Sequence, residues 1–307
     1  MSGFNSMMQM HSQVTNPETV AAETALVVDE IGVDGFSADQ ITFIDEGWSS
    51  RVYLAGEGEV VYKFPRSPAV AADYSREIAA LSLMASGPSP VATQRLRSLG
   101  RDGQYFSYHG LVGHQLSTLL PEADEKTRFE FGSQIGRFLS YLHSLELPEA
   151  PNVAVDDEIR EYQTKYKLAQ STVAEHYSPS EQRKVAEFFF EQMPDCMDAL
   201  GAETRLCHGD LGLYNVIVDA QGSLGIIDFG NIGYYDQSKD FVDFGDERVL
   251  DGALEAYGDS SVLREKVTVR KIAMQAIELV YYRAKHDELG VRHAIDDLRQ
   301  LLLEGHI

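Results

Sequence analysis

The sequence predicts an α+β protein in which a small N-terminal antiparallel sheet with one helix precedes a larger, mostly helical C-terminal part. Three short β-branched and aromatic runs, QITFIDEG, SRVYLAG and GEVVYKFP, are punctuated by glycines, as in a meander. Beyond Gly113, apolar residues recur at helical spacing in successive segments. One β-rich interruption, LCHGDLGLYNVIVDAQGSLGIIDFG, falls inside that helical region and sets two aspartates and an asparagine at the ends of apolar runs. With 307 residues and 44% hydrophobic content, the chain can bury a sizeable core as one large domain or two lobes.

Taken in order, the first fifteen or so residues are polar and Met-rich and read as a disordered arm. Asn16 followed by Pro17 supplies an N-cap and a first-turn proline for a helix over PETVAAETALVVDEIG, which ends before the Gly35 turn. After the meander, AADYSREIAALSLMAS predicts a helix, and GPSPVATQ leads toward another strand in QYFSYHGLV. In RFEFGSQIGRFLSYLHSL, Phe131, Ile135, Phe138, Leu139 and Leu142 make one apolar stripe. Ser178-Pro179-Ser180-Glu181 forms a capping box that starts the helix EQRKVAEFFFEQM. Two C-terminal helices follow, with faces at Ala273, Ile277, Val280, Tyr281 and Ala284, and at Ile295, Leu298, Leu301 and Leu302.

Composition narrows the classes. Against 48 acidic residues stand 26 basic ones, and the formal charge of −22 would repel nucleic-acid phosphates and anionic membrane surfaces while attracting cationic ligands. The opening MSGFNSMMQMHSQVTNPE has neither a basic region nor a continuous apolar stretch, so no signal peptide or membrane span is expected. Cys196 and Cys207 have no metal-ligand spacing and no disulfide framework, which points to core fillers in a reduced, cytoplasmic protein.

The β-rich interruption reads as two short strands, NVIVD and LGIID, joined by the turn AQGS. A strand pair holds its ends firmly, so Asp210, Asn215 and Asp228 can converge. Oxygen ligands without His or Cys suit a hard cation such as Mg2+, which is usually held by one or two carboxylates together with substrate phosphates.

His208-Gly209-Asp210 with Asn215, followed by Ile227-Asp228-Phe229-Gly230, resembles the active-site signature of the aminoglycoside phosphotransferases, protein-kinase-like enzymes of small molecules. The resemblance covers roughly residues 40 to 250 and implies a bilobal protein-kinase-like fold. Its implied organisation is an arm over 1–16, a nucleotide-binding lobe over 17–110 and a catalytic, substrate-binding lobe over 111–307. The implied reaction moves the γ-phosphoryl group of ATP or GTP, with Mg2+, to a hydroxyl of a small cationic molecule, an aminoglycoside antibiotic first, in a monomeric resistance enzyme.

In that likeness Asp210 is the catalytic carboxylate, and Asn215 and Asp228 are the metal ligands. Lys63 matches the lysine that binds the α- and β-phosphates, with Glu77 as its ion-pair partner. Gly47, Ser49 and Ser50, in a loop that also holds Trp48, stand where a glycine-rich loop would cover the phosphates, although the segment does not match G-x-G-x-x-G. Tyr108 to Leu111 resemble the strand whose backbone meets the nucleotide base.

Asp243, Asp246 and Glu247, and less strongly Asp156, Asp157 and Glu158, are the carboxylates expected to meet substrate ammonium groups. His208, His143 and Asp240 look structural, with Asp240 bracing the catalytic loop. VVYKFPRS, IIDFGNIGYYD and KDFVDFGDE look most like the enzymes that modify the 2″-hydroxyl, but Asn231 stands where those relatives carry an acidic residue. Kinases of choline, fructosamine, methylthioribose, homoserine and macrolides share the scaffold and remain alternatives, as does a non-catalytic nucleotide-binding regulator. The regulator is disfavoured because Lys63, Asp210, Asn215 and Asp228 are all present.

Overall fold

The computed structural model describes residues 15–32, 35–45, 49–100, 103–258 and 261–303. Packing divides these into two compact units. The first takes the chain through Ala123 with Leu147–Glu149 and Leu213–Ile232, and the second takes Asp124–Glu146, Ala150–Gly212 and the chain from Gly233 onward. Chain order and packing therefore partition differently, since the hairpin expected within 111–307 clusters with the N-terminal sheet. Most of the expected arm lies outside the described residues, as do Glu46, Gly47 and Trp48.

In the first unit, helix α1 (Pro17–Ile31) opens as its sequence requires, with the Asn16 side chain accepting from the Glu18 N–H at 2.9 Å. Strands β1 (Ile41–Ile44), β2 (Ser50–Ala55) and β3 (Val60–Pro65) form the expected antiparallel meander, in register Ile41 to Ala55 and Ser50 to Pro65. Helix α2 (Pro68–Ser86) is capped by Ser67, so it starts earlier than its apolar pattern suggests. Next come β4 (Ala92–Thr93), β5 (Arg95–Leu99), β6 (Phe106–His109) and β7 (His114–Gln115).

The main sheet runs β1-β2-β3-β6-β5. Strand β5 reads RLRSL, a half-exposed edge without apolar alternation, which is why its sequence does not announce a strand. Alternation along β3 turns Tyr62 and Phe64 to one face, where Tyr53, Tyr105, Val27 and Ile31 complete a core with α1, and leaves Lys63 on the other. The hairpin strands β8 (Val216–Val218) and β9 (Leu224–Ile226) join β4 and β7 in a second sheet of order β4-β9-β8-β7. A two-residue strand has too little pattern to read, so these partners of the hairpin appear only in three dimensions.

The second unit is helical around one short strand pair, Thr204–Cys207 antiparallel to Gly233–Asp236. Helix α3 (Glu125–Leu142) buries the whole expected stripe from Phe131 to Leu142. Helices α4 (Val155–His176), α5 (Pro179–Glu187) and α6 (Met193–Ala199) follow. The capping box at Ser178 forms, with Glu181 accepting from the Ser178 N–H at 2.7 Å. The segment expected as one helix is broken by a wide π turn over Phe188–Gln192, which lets the consecutive Phe188 and Phe189 both point inward.

Helices α7 (Glu247–Tyr257), α8 (Ser261–Ala284) and α9 (Glu288–Leu303) complete the unit. The α8 face is rotated from its expected setting. Val269, Ile272, Ala273, Ala276 and Leu279 are buried, whereas Ala284 is exposed, because α8 is enclosed by neighbours on more than one side and buries more than a single stripe. Helices α3 and α7 approach at backbone distance. A Cβ added to Gly136 would fall 2.1 Å from the Ala253 carbonyl, and one on Gly252 would fall 2.1 Å from that of Phe129. Cys207 is buried and Cys196 half-buried, both as free thiols. Among the described residues no helix is long and apolar enough to cross a membrane.

Candidate active site

The first unit gathers a buried cation and two carboxylates. Lys63 projects from the α2 side of β3, and its Nζ donates at 2.9 Å to both carboxylate oxygens of Glu77, on α2, and at 2.9 Å to Asp228 Oδ1. Glu77 is 2% exposed, so its charge depends on this partner, while the Asp228 side chain stays 47% exposed. Burial alone would lower the lysine pKa, but Asp228 and Glu77 outweigh it and hold the ammonium well above its ordinary 10.5.

The hairpin fixes the acidic end of this cluster. Val216 pairs with Ile226, so Asn215 and Ile227 face each other at the open end, where the Ile227 N–H donates to the Asn215 carbonyl at 3.0 Å. Asp228 follows at once in a left-handed conformation, φ 66°, which non-glycine residues adopt only when their surroundings hold them. Besides Lys63, side chains from neighbouring elements hold the backbone here. The buried Gln94 Oε1 accepts from the Asp228 N–H at 3.0 Å, and Arg76 Nη2 donates to the Gly230 carbonyl at 2.9 Å. Neither Gln94 nor Arg76 stands out in the sequence, because a lone glutamine after a strand and a helix arginine carry no signal until their partners are known.

The other residues expected to meet nucleotide have mixed placements. Tyr108 lies on the Lys63 face of β6, within electrostatic reach of Lys63, Glu77 and Asp228, and burial raises its phenol pKa. Leu111 lies against Gly225 of β9, where an added Cβ would come within 2.4 Å of Leu111 Cδ1. Ser50 lies on the same face of the sheet as Lys63. Its hydroxyl is buried and accepts from Tyr74 Oη at 2.9 Å, because Ser50 shares the inward parity of Lys63 on the paired strand. Ser49 Oγ lies 3.3 Å from Ser50 Oγ and is half-buried.

Asp210 belongs to the second unit, in the loop that leaves the strand Thr204–Cys207, and its side chain is half-buried. The Gly212 N–H donates to the Asp210 carbonyl at 3.1 Å. The preceding backbone is clamped by Asp240, which sits in the 3₁₀ turn Gln237–Phe241 and accepts from the His208 N–H at 2.7 Å and the Gly209 N–H at 2.8 Å. His143 Nε2 donates to the same carboxylate at 3.0 Å. Although burial opposes ionisation, these donors hold Asp240 below its ordinary pKa. His143 and His208 are both buried within this brace.

Among the carboxylates expected to meet substrate, Asp243 differs from the rest in its electrostatic surroundings. It is half-buried, and burial together with the charges of Asp210 and Asp240 pushes its pKa up to about 6 against the pull of Lys239 and Lys271. Asp246 is committed elsewhere as the N-cap of α7. Its Oδ1 accepts from the Arg248 and Val249 N–H groups at 3.0 Å, and its Oδ2 accepts from Arg128 at 2.9 Å. Glu247 is exposed and pairs with Lys271 at 2.8 Å. Glu158 is buried against Arg270, and Asp157 pairs with Arg160 one helical turn on, while Asp156 lies exposed in the first turn of α4.

The sequence profile of the APH phosphotransferase enzyme family matches residues 40–267. No curated protein sequence matches the chain significantly. Among solved structures, an aminoglycoside 2″-phosphotransferase in complex with GDP and kanamycin superposes with a TM-score of 0.71 at 19% identity, covering 90% of this chain and 99% of that one. A macrolide 2′-phosphotransferase from Brachybacterium faecium gives 0.63 at 17% identity, with coverages of 89% and 97%. A choline kinase from Streptococcus pneumoniae gives 0.59 at 14% identity, with coverages of 91% and 99%. At these identities the likeness is one of fold, the protein-kinase-like α+β fold. With its profile match spanning most of the sequence, the chain belongs to the APH phosphotransferase enzyme family.

Proposed function

We propose that this phosphotransferase moves the γ-phosphoryl group of ATP or GTP to a hydroxyl of a small cationic molecule, an aminoglycoside before other acceptors. The observation that carries the reading is Lys63, whose ammonium is held between buried Glu77 and half-exposed Asp228. A lysine so fixed can meet nucleotide phosphate oxygens without first ordering its own chain.

Asp228 and Asn215 would hold Mg2+. Their donor set fits a hard cation, since both offer side-chain oxygens from adjacent positions at the open end of one hairpin, and the Asp228 carboxylate remains half-exposed. The bound ion would supply charge neutralisation on the β- and γ-phosphates. Asp210 orients the acceptor hydroxyl and takes its proton. As the acceptor oxygen bonds to the γ-phosphorus, the bond to the β–γ bridging oxygen breaks and the nucleoside diphosphate leaves. Asp243 offers the carboxylate for an acceptor ammonium, while the engagements of Asp246 and Glu247 make them weaker choices.

A cationic acceptor accords with the charge of −22 and with the neighbouring phosphotransferase that carries kanamycin. The macrolide and choline kinases of the same fold define the second reading, another small alcohol in the same site. Nucleoside-diphosphate release, measured with Mg-ATP and Mg-GTP against a panel of aminoglycosides, macrolides and choline, tests the proposal. Asp210→Asn should nearly abolish stimulated release while leaving nucleotide affinity within a few-fold. Full activity in that variant would overturn the mechanism, and stimulation by a macrolide or choline alone would replace the aminoglycoside assignment.

A further inference from the structure

The second unit buries a chain of charged side chains that no step above uses. Arg270, on α8, is 2% exposed, and its guanidinium donates to both oxygens of Glu158, on α4, at 3.1 and 2.8 Å. Its remaining nitrogen, Nε, donates to Ser238 Oγ at 2.7 Å. Ser238 in turn donates its hydroxyl to Asp236 Oδ1, and Lys266 Nζ, also from α8, donates to Asp236 Oδ2 at 2.8 Å. Two cations and two carboxylates thus balance, and each is buried. Such a set has little net stabilising value over an apolar core of the same volume, so its directionality calls for a reason.

The direction leads to the loop of Asp210. Ser238 lies in the same 3₁₀ turn as Asp240, two residues before the carboxylate that clamps the His208 and Gly209 N–H groups. At the head of the turn Gln237 Oε1 accepts from Tyr257 Oη at 2.7 Å, and Tyr257 Oη lies 2.9 Å from His143 Nδ1. The far edge of the turn is therefore closed by a ring through Tyr257, His143 and Asp240, while its near edge is held at Ser238. The Ser238 hydroxyl accepts from Arg270 and donates to Asp236, the side chain that also caps the turn by accepting from the Ser238 N–H at 3.1 Å. A planar fork already fixed by Glu158 loses little freedom when its third direction also bonds, which suits Arg270 to setting a backbone position.

We propose that Arg270 is a positioning residue for Asp210. Anchored on Glu158, it holds Ser238 and thereby the turn from which Asp240 sets the two peptide groups preceding Asp210. The inference rests on the reading of Asp210 as the base, and its test separates the two.

Ser238→Ala removes the hydroxyl's bonds to both Arg270 and Asp236 and leaves the Arg270–Glu158 and Lys266–Asp236 pairs in place. Arg270→Met with Glu158→Leu removes only the Arg270 side of the link and keeps the Ser238–Asp236 bond, and it should match Ser238→Ala in both readouts. Ser238→Thr keeps the hydroxyl. Amide hydrogen exchange is followed at His208 and Gly209, with the amides of α3 as an internal control, alongside kcat and KM for nucleotide and acceptor. Ser238→Ala should speed exchange at His208 and Gly209 about tenfold or more over the α3 control, and should lower kcat several-fold with both KM values within twofold. Ser238→Thr should restore both readouts. Unchanged exchange at the two amides overturns the proposal whatever the enzyme does. Faster exchange with unchanged kcat overturns the catalytic consequence. If no acceptor stimulates the wild-type chain, the functional reading fails by itself, and the exchange measurement on the Arg270→Met/Glu158→Leu variant still decides whether Arg270 governs this loop, unchanged exchange there overturning its role.

Discussion

Asp243 and Glu278 should make the protein lose stability as pH rises from about 4 to 7. Burial pushes Asp243 from an ordinary 3.8 to about 6, and burial with the charges of Asp243 and Asp297 pushes Glu278 from 4.5 to about 7. A carboxyl whose folded pKa is raised keeps its proton where the unfolded chain has released it. Its contribution is complete below the unfolded pKa and is lost as pH climbs through the folded one.

For Asp243 the proton is held about two pH units more tightly, which corresponds to ~3 kcal/mol, and the solvent that reaches a half-buried carboxylate reduces this to on the order of 1–2 kcal/mol. Asp243→Asn should therefore melt a few degrees above the parent chain at pH 8 and level with it near pH 4. Glu278→Gln should behave alike one pH unit higher, and the double variant should gain less than the two separate gains together, because the Asp243 charge is part of what raises Glu278. Thermal unfolding followed by circular dichroism from pH 4 to 8 gives the comparison. A melting difference between Asp243→Asn and the parent that does not vary with pH would refute the reasoning.

Other outcomes follow from single contacts. Lys63→Met should weaken nucleotide binding and also destabilise the first unit by about 3–5 kcal/mol, since Glu77 is left buried without its counter-ion; adding Glu77→Gln should recover much of the stability and none of the binding, as read by denaturant unfolding and nucleotide titration. Gly136→Ala places a Cβ 2.1 Å from a backbone carbonyl of α7, so α3 and α7 must separate, with a loss of several kcal/mol seen in chemical denaturation, whereas Gly222→Ala meets nothing within 4 Å and strains only its turn. Asp246→Ala should cost roughly 1–2 kcal/mol through the lost cap of α7 and leave the acceptor KM within twofold; a large rise in KM at unchanged stability would return Asp246 to the acceptor site.

The legible parts of the fold were those written in local pattern. The meander, the Asn16 and Ser178 caps and the stripe of α3 depend on residues a few positions apart, and each forms where its sequence places it. Strand β5 and the π turn at Phe188 were not legible. A half-exposed edge strand needs no apolar alternation, and the consecutive phenylalanines are reconciled with a helix only by an inserted residue that the surrounding core demands.

The site divides the same way. The chemistry was present in residue type and spacing: an aspartate with an asparagine five residues on, an Asp-Phe-Gly, and a strand lysine ahead of a helix glutamate. Those motifs sit on contiguous segments, and their residue types follow from the charge and ligand preferences of phosphoryl transfer. Which acidic residues are occupied was decided only by tertiary structure. Asp246, Glu158 and Asp243 look alike in a sequence of charge −22, but one caps α7, one is bound by Arg270, and one is left half-buried with its pKa raised. Likewise Gln94 at Asp228 and Arg270 at Ser238 join positions more than thirty residues apart. Local sequence sets the conformational preference and chemical type of a side chain, whereas the partner that satisfies a buried charge is chosen by packing across the whole chain.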